Sequence, residues 1–356
     1  MKKIIAVVLA VLTAASMLAF SASAEGETGE FTILSYNVAG LPDINRLLGK
    51  EGVDVKGNQK QLGSIINESG CDIIAVQEDF SYHRKLVKGM ENYPYRTRTT
   101  GGVPSGDGLN VMSKTPIYNE KRTAWDEAYG IIDHGADEMA PKGVLYCVID
   151  IGSGVLVDFY DIHADAYGDE GSAAARKAQF AQLADIINER GTERPVIVTG
   201  DFNTSLNFSP ECGLLENLLL PCGLKDAWTE VHNDGNYTDY SYYKETYGPT
   251  WEDSWGTYDS VEKFLYRDGD GVKLNPTEFK YEEIFNADGV SISDHSSVFV
   301  KFTYEKTENF TENTEPLKVA GPNFFDRIFK FIKCIAVDLY KIFTNFDELV
   351  GFIKGA

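Results

Sequence analysis

The chain has 356 residues, 43% of them hydrophobic, which is enough to build one large domain or two smaller ones around a substantial core. Its 54 acidic and 33 basic residues give a formal net charge of −21, which disfavours binding to a polyanion such as DNA unless a basic groove or bound cations intervene. The five cysteines are too sparse for a disulfide-scaffolded domain.

The first 24 residues have the pattern of a secretory signal peptide. Lys2 and Lys3 precede an apolar run over 4–20, and residues 21–24 match a small-residue cleavage site of the Ala-x-Ala type. A retained membrane anchor is the alternative, although the apolar run is short for a membrane span. We expect a secreted, extracellular protein that is cleaved near Ala24, with membrane or surface association left open. Cleavage removes two basic residues and no acidic residue, so the mature charge becomes −23.

The segment from 31 to 304 predicts a mixed α/β domain. Its β-rich stretches are either continuously apolar or alternate apolar with polar residues, as strands packed between layers do. They cover 31–36, 72–77, 109–112, 144–151, 155–163, 195–200, 261–266 and 297–302. Helices are predicted over 58–69 and 172–190, each with apolar residues on one face and a glycine near its end. Strands that alternate with helical crossovers indicate packed sheets with helices outside them.

The C-terminal part of the chain has a different composition. Residues 305–322 are polar and predict a linker. Over 323–356, apolar and aromatic residues recur every three or four positions, which predicts a long amphipathic helix or a broken pair of helices. Two roles fit such a tail: it packs against the preceding domain, or it docks on a membrane surface.

Cys212 and Cys222 flank a short leucine-rich segment. In an oxidising compartment this pair has the spacing for a disulfide, and two free thiols are the alternative.

Polar residues stand at the ends of the predicted strands throughout the domain. They are Asn37, Glu78, His163, Asp201 and Asn203 after four strand segments or at their ends, and the pair Asp294 and His295 before the last predicted strand. Metal-assisted phosphate chemistry needs hard oxygen ligands, a group that activates water, and donors for the charge on phosphate oxygens. Each residue alone is ordinary, but the ordered set predicts a metal-dependent phosphoesterase.

This set resembles the endonuclease/exonuclease/phosphatase superfamily, the fold shared by DNase I, neutral sphingomyelinases and inositol-polyphosphate 5-phosphatases. The motifs are Ser-Tyr-Asn (35–37), Gln-Glu (77–78), Asp-Gly-Leu (107–109) with Ser-Lys-x-Pro (113–116), Ile-His (162–163), Gly-Asp-Phe-Asn (200–203) and Ser-Asp-His (293–295). The resemblance covers 31–304 and implies a four-layer α/β sandwich, in which two packed mixed β-sheets are flanked by helices. The predicted organisation is therefore a signal peptide (1–24), a catalytic domain (25–304), a polar linker (305–322) and an amphipathic helical tail (323–356).

The resemblance implies a site for one divalent cation. Asn37, Glu78 and Asp294 would lie at the metal, with Glu78 as its principal ligand. Mg²⁺ is the expected cofactor, and Ca²⁺ or Mn²⁺ are alternatives.

The resemblance also implies catalytic roles. His163 would donate to a phosphate oxygen in the transition state, and Asn203 would bind another. Asp201 would align or deprotonate the attacking water. Asp294 would orient His295 so that the pair acts as a general-base dyad.

One position departs from the family pattern. The family usually has an aspartate, in a context like Asp-Tyr-Ile, before the penultimate strand, whereas the matching stretch 261–266 has Glu262. The longer side chain shifts the carboxylate by about one bond length, which is enough to misplace a catalytic group. Asp259 is an alternative source of this second carboxylate.

The substrate is less sharply defined than the reaction. Pro-Lys-Gly (141–143) and His-Ala-Asp-Ala (163–166) resemble the sphingomyelinase-type branch of the superfamily, and Lys142 is a candidate substrate-binding residue. Secretion and the aromatic tail fit a monomer that acts on lipid at a membrane surface. We therefore favour a sphingomyelin or phospholipid head-group phosphodiesterase. An extracellular nuclease, an inositol-phosphate phosphatase and a binding module that kept only the fold are the alternatives.

Overall fold

A computed structural model of the protein describes residues 26–320, except 44–45, 47–48, 104, 131–136, 139, 207–212 and 238–259, together with residue 335. The predicted signal peptide, Asp259, Cys212 and nearly all of the predicted tail lie outside the described residues. Within the described part of the chain, no helix is both long enough and apolar enough to cross a membrane.

Two six-stranded sheets form the centre of the described structure. The strands, in chain order, are β1 (Thr28–Asn37), β2 (Ile73–Gln77), β3 (Tyr95–Arg96), β4 (Asn110–Ser113), β5 (Ile117–Ala124), β6 (Gly143–Asp150), β7 (Leu156–His163), β8 (Val196–Asp201), β9 (Lys225–Asp226), β10 (Glu262–Arg267), β11 (Val272–Glu282) and β12 (Ser297–Lys306). Sheet A has the order β11-β12-β1-β2-β4-β3, and sheet B has the order β5-β6-β7-β8-β10-β9. Both sheets are mixed, because β1 pairs parallel with β2 and β7 pairs parallel with β8 while their other neighbours are antiparallel.

Most of the helices lie on the outer faces of the two sheets, whereas the last described one contributes Ala227 and Trp228 to the apolar cluster between the sheets. They are α1 (Val55–Ser69), α2 (His83–Leu86), α3 (Glu170–Asn188), α4 (Leu220–Cys222) and α5 (Ala227–His232), with a 3₁₀ turn at Val87–Gly89 and a π-helical turn at Leu215–Leu219. The α1 helix is the crossover from β1 to β2, and α3 is the crossover from β7 to β8. Aspartates cap both helices: Asp54 accepts a hydrogen bond from Gly57 N, and Asp169 accepts from two backbone N–H groups.

Three apolar clusters fill the spaces between the layers. Neighbouring residues of one strand point to opposite sides, so Phe159 packs between the two sheets while Tyr160 packs between sheet B and α3. Likewise Ile33 faces the other sheet, and Leu34 packs with the helix α1. The predicted four-layer α/β sandwich is confirmed.

The topology brings six strand ends to one end of the sandwich. The two parallel pairs, β1 with β2 and β7 with β8, all finish there. Because β12 is antiparallel to β1 and β10 is antiparallel to β8, the segments before these two strands reach the same end. We call this the carboxyl end of the sandwich, and every predicted site residue that the structure describes lies at it.

The structure differs from the sequence expectations in several strands and in the polar linker. Strands β3, β5, β9 and β11 were not predicted, and β12 continues to Lys306. Residues 307–320 are held against the domain: Asn119 N donates to Lys318 O at 2.8 Å, and Ala320 N donates to Ile117 O at 3.0 Å. The expected linker is thus attached to the edge of sheet B as far as residue 320. Cys222 is a buried thiol, and its pairing with Cys212 stays a prediction because Cys212 lies outside the described residues.

Candidate active site

The register of sheet B places three of the predicted residues on adjacent strands. Asp201, at the end of β8, is the register partner of His163 on β7 and of Glu262 on β10. Asn37 ends β1 in sheet A and faces the same space, and Glu78 follows directly after β2. Two sheets therefore bring these side chains together from positions up to 225 residues apart along the chain.

Asp201 is the centre of the group. Its carboxylate is buried, and its Oδ2 accepts a hydrogen bond from Asn37 Nδ2 at 3.0 Å. The same oxygen lies 3.4 Å from Nε2 of His163 and 3.7 Å from Nε2 of His295. Burial raises the pKa of Asp201, although the positive charges of His295 and Lys142 work in the opposite direction.

The half-buried carboxylate of Glu78 lies on the other side of Asn37. Its Oε1 accepts from Asn37 Nδ2 at 3.1 Å, and burial raises the pKa of the carboxyl group. Glu78 and Asn203 have backbone φ angles of 56° and 49°, in the left-handed region that non-glycine residues rarely adopt. Strained backbone of this kind persists where the surrounding structure fixes it, as it often does at functional sites.

His295 takes its carboxylate partner from Glu262, and this corrects the predicted dyad. Nδ1 of His295 lies 2.5 Å from Oε1 of Glu262, and the Ser260 hydroxyl donates to the other oxygen of Glu262. Asp294 is exposed, and its Oδ1 lies 3.4 Å from the hydroxyl of Ser293. The difference follows from the backbone: Glu262 begins β10 beside Asp201, whereas Asp294 is the immediate neighbour of His295 and turns outwards.

The protonation of His295 follows from these neighbours. Burial lowers the pKa of the imidazole, but the charges of Asp201 and Glu262 and the hydrogen bond that the ring donates to Glu262 outweigh it and raise the pKa to about 10. The glutamate that replaces the usual aspartate thus reaches the imidazole. Asp259, the alternative source, lies outside the described residues.

His163 has the opposite character. It is buried, and burial together with the positive charges of Lys142 and His295 holds its pKa well below the ordinary value, so the ring is neutral. Its Nδ1 has no hydrogen-bond partner among the described residues. A neutral imidazole whose Nε2 faces the cavity is suited to donate one hydrogen bond to an anionic oxygen.

Lys142 and Asn203 line the same cavity from its far wall. Lys142 is ion-paired with Asp137 and donates to Ala164 O at 3.3 Å. Asn203 Nδ2 donates to Ala164 O at 3.0 Å, which leaves one further amide N–H for a ligand.

Glu78 is the residue best suited to hold a divalent cation. Among the residues that the structure describes, no three His, Cys, Asp or Glu side chains are placed to form a closed metal cage. Asn37 directs its amide nitrogen at the carboxylates while its Oδ1 accepts from Ala39 N at 3.1 Å, so it acts as a donor there rather than as an oxygen ligand. One half-buried carboxylate that lines an open cavity fits Mg²⁺, which commonly keeps several waters and binds through one or two carboxylates and a substrate phosphate.

The cavity that these residues form has a volume of about 690 Å³. Its polar floor is made of Glu78, His163, Asp201, Asn203, Asp294 and His295. Apolar side chains surround its mouth: Leu41 is 41% exposed, Val103 is 47% exposed and Tyr167 is 61% exposed. A phosphoester with an apolar portion would thus meet both parts of the cavity.

A buried contact beneath the floor was not anticipated from the sequence. Gln77 Nε2 donates to Asp161 Oδ1 at 2.6 Å and joins β2 to β7 across the two sheets. Burial raises the pKa of Asp161 well above its ordinary value. The sequence does carry a signal for this contact, because Gln77 directly precedes Glu78 and Asp161 lies two residues before His163. An acid inside an otherwise apolar strand needs a partner.

Comparison with known proteins is consistent with this arrangement. The endonuclease/exonuclease/phosphatase family matches residues 34–264. The chain belongs to this family. Its members are phosphodiesterases and related hydrolases, and the superfamily resemblance drawn from the motifs is confirmed.

Individual relatives include enzymes that act on lipid and on DNA. A sphingomyelinase of Mycobacterium bovis is 30% identical over 286 residues, which cover 78% of this chain and 53% of the relative. The chain therefore spans about half the length of the curated relatives it matches. D. rerio TDP2 complexed with single-strand DNA product has a TM-score of 0.56 at 16% identity, covering 77% of this chain and 99% of the other. A mutant beta toxin from Staphylococcus aureus with bound magnesium ions has a TM-score of 0.52 at 16% identity, covering 76% and 99%. These two structures share the fold.

Proposed function

We propose that the chain is a secreted, divalent-cation-dependent phosphodiesterase that removes the phosphorylated head group of sphingomyelin or a related phospholipid. The observation that carries the proposal is the cavity, which combines a floor of acids and imidazoles, with Asp201 and His163 buried, and an exposed apolar mouth. The likeness to a sphingomyelinase over 78% of the chain supports the choice of lipid. Secretion rests on the sequence pattern of residues 1–24.

In this proposal a water molecule attacks phosphorus and one P–O ester bond breaks, which gives an alcohol and a phosphomonoester. His295 Nε2 accepts the proton of the water, and Glu262 holds the ring through Nδ1. Asp201, 3.7 Å from Nε2 of His295, orients the water between the two groups. A divalent cation at Glu78 supplies, when bound, positive charge beside the phosphate oxygens and weakens the negative field that keeps a proton on His295.

Three further side chains stabilise the phosphate in this scheme. Neutral His163 donates a hydrogen bond to an oxygen that gains charge, without itself giving up a proton. The free amide N–H of Asn203 is a second donor. Lys142 adds positive charge from the wall of the cavity, where it is already paired with Asp137.

DNA is the second candidate substrate, because the fold is shared with TDP2 in complex with a DNA product. The net charge of −21 opposes it, since extended nucleic acid meets the whole surface of a protein whereas a single lipid head group meets only the cavity. A soluble inositol phosphate and a fold that only binds its ligand are further alternatives.

One parallel assay separates these possibilities. The mature chain is incubated with sphingomyelin vesicles, plasmid DNA and a soluble inositol phosphate, each with Mg²⁺ and with EDTA. We expect release of the phosphorylated head group from sphingomyelin with Mg²⁺ only, and no release by the His295→Ala variant. Faster cleavage of DNA than of lipid would replace the lipid proposal with the nuclease, and full activity in EDTA would remove the metal from the mechanism.

A further inference from the structure

A second cavity opens at the carboxyl end of the sandwich, next to the catalytic one. It has a volume of about 510 Å³. The two cavities share the same loops: Leu41 and Phe80 line the catalytic cavity, while Asp43 and Tyr82, two residues further along each loop, line the second. A ligand in the second cavity would therefore lie beside the mouth of the first.

Four basic side chains line this second cavity, which we call the basic cavity: Arg46, Lys56, Lys60 and Lys85. Lys56 and Lys60 are four residues apart on α1, so they project from the same face of the helix. The two acids of the cavity, Asp43 and Asp54, leave it with a net charge of +2.

The three lysines of the basic cavity are exposed, and none has a side-chain hydrogen bond or ion pair within the described part of the chain. The acids beside them are turned to other partners. Asp43 accepts from the backbone N–H groups of Arg46 and Val53 at 3.0 and 3.1 Å. Asp54 caps α1 and pairs with Arg46 at 3.5 Å.

This arrangement is unusual for a chain of net charge −21, in which 54 carboxylates are available to pair with 33 basic residues. Like charges that share a cavity repel one another, and the cost is offset when an anion binds between them. The N-terminus of α1 opens into the same cavity and adds to its positive potential.

Exposed apolar side chains surround the two cavities. Among the described residues, seven of the ten large apolar side chains that are exposed lie on loops at the carboxyl end, and three of the seven, Leu41, Val103 and Tyr167, line the catalytic mouth. Apolar residues beside clustered lysines are the combination that peripheral proteins use at anionic membranes.

We propose that the basic cavity binds the phosphate of an anionic phospholipid and docks the carboxyl end of the sandwich on a negatively charged bilayer. The inference rests on the proposed lipid-directed function and extends it, since docking in this orientation faces the catalytic cavity towards its substrate. The lipid bound by the basic cavity is a neighbour of the substrate in the bilayer and is not itself cleaved.

The test measures binding rather than turnover. The mature chain is sedimented in EDTA with phosphatidylcholine vesicles that contain or lack phosphatidylserine. The variant Lys56→Gln/Lys60→Gln/Lys85→Gln removes three charges from the basic cavity. The matched control Lys225→Gln/Lys273→Gln/Lys318→Gln removes three charges at the opposite end of the sandwich, where β11 begins and residue 318 meets β5.

We expect the first variant to bind anionic vesicles on the order of a hundredfold more weakly, since each lysine near an anionic surface contributes about fivefold. The control variant should bind like the wild type, and both should hydrolyse a soluble phosphodiester with Mg²⁺ at the wild-type rate if the protein is an enzyme of the proposed class. Because the binding readout needs no catalysis, an inactive protein that still binds would refute only the proposed function.

Several outcomes would overturn the inference. Equal loss of binding in both variants would show that binding depends on net charge and not on the basic cavity. If the wild type showed no preference for anionic vesicles, the proposed docking site would be wrong. Release of the protein by inorganic phosphate at a concentration that leaves ionic strength unchanged would indicate a site for free phosphate. Lysine-dependent binding of a single-stranded oligonucleotide, without vesicle binding, would indicate a nucleic-acid site.

Discussion

Shortening Glu262 by one methylene group tests the dyad that the structure assigns to His295. In Glu262→Asp the carboxylate retracts by about 1.5 Å, the length of one C–C bond. The contact with Nδ1, 2.5 Å in the structure, would lengthen to roughly 4 Å, which is beyond hydrogen-bond range. Losing a charge-assisted hydrogen bond costs about 1.5–3 kcal/mol, so we expect kcat/KM to fall by roughly 10- to 150-fold.

The pH profile distinguishes this reason from a general disturbance of the site. The base in the mechanism is neutral His295, and Asp201 and Glu262 raise its pKa to about 10 despite its burial. Replacing Glu262 with neutral glutamine removes one of these charges and lowers that pKa. His295 then loses its proton at a lower pH. The acidic limb of the pH profile of kcat/KM should therefore move to lower pH in Glu262→Gln. Asp294→Asn should move it less, because Asp294 makes the smaller contribution.

The assay is hydrolysis of a soluble phosphodiester at fixed Mg²⁺ across the pH range. Glu278→Asp, which makes the same change on the half-buried residue 278 of β11, away from the cavity, serves as the control for shortening a glutamate. A wild-type rate in Glu262→Asp would contradict the orienting role of Glu262. A larger shift of the acidic limb in Asp294→Asn than in Glu262→Gln would assign that role to Asp294.

Three other predictions test the cation, the core and the tail. Glu78→Gln should raise the Mg²⁺ concentration needed for half-maximal activity at least tenfold while the thermal midpoint changes little, because it removes the half-buried carboxylate at which we place the cation; an unchanged requirement would place the metal elsewhere. Phe159→Ala should lower the free energy of unfolding by about 3–5 kcal/mol in urea titrations, since the ring is fully buried between the sheets; a loss below 1 kcal/mol would mean that the sheets close around the gap. Truncation after Ala320 should weaken binding to neutral vesicles if the predicted tail docks on membranes, and equal binding would favour packing of the tail on the protein.

The positions of the site residues were predictable because β-strands and crossovers follow simple rules. Two parallel pairs, each joined by a helix, carry their terminal residues to one end of the sandwich, so residues 37, 78, 163 and 201 could be grouped from the sequence. The pairing of Glu262 with His295 could not be derived in this way. It depends on the antiparallel register of β10 with β8 and on the turn before β12, and neither leaves a periodic signal.

The unpredicted strands have a common physical reason. β5 lies at an edge of sheet B and carries the charged run 120–122, whereas β11 lies at an edge of sheet A and contains Pro276. Edge strands face solvent and need fewer ladder hydrogen bonds, so they tolerate charge and proline that a central strand would exclude. Their patterns consequently resemble those of loops.

The net charge of the chain turned out to be a poor guide to its local electrostatics. At physiological ionic strength, charges more than about 8 Å from a ligand are largely screened, so a phosphate at the carboxyl end responds mainly to the groups around it. There, half-buried Glu78 and buried Asp201 and Glu262 form a negative cluster that favours a cation, and the lysines of the basic cavity favour an anion. Two neighbouring lipids of one bilayer would meet these two sites, whereas the acidic remainder of the surface would repel any polyanion that extended beyond them. The same charge that opposes DNA as a substrate is thus compatible with a lipid, because a lipid presents one phosphate at a time.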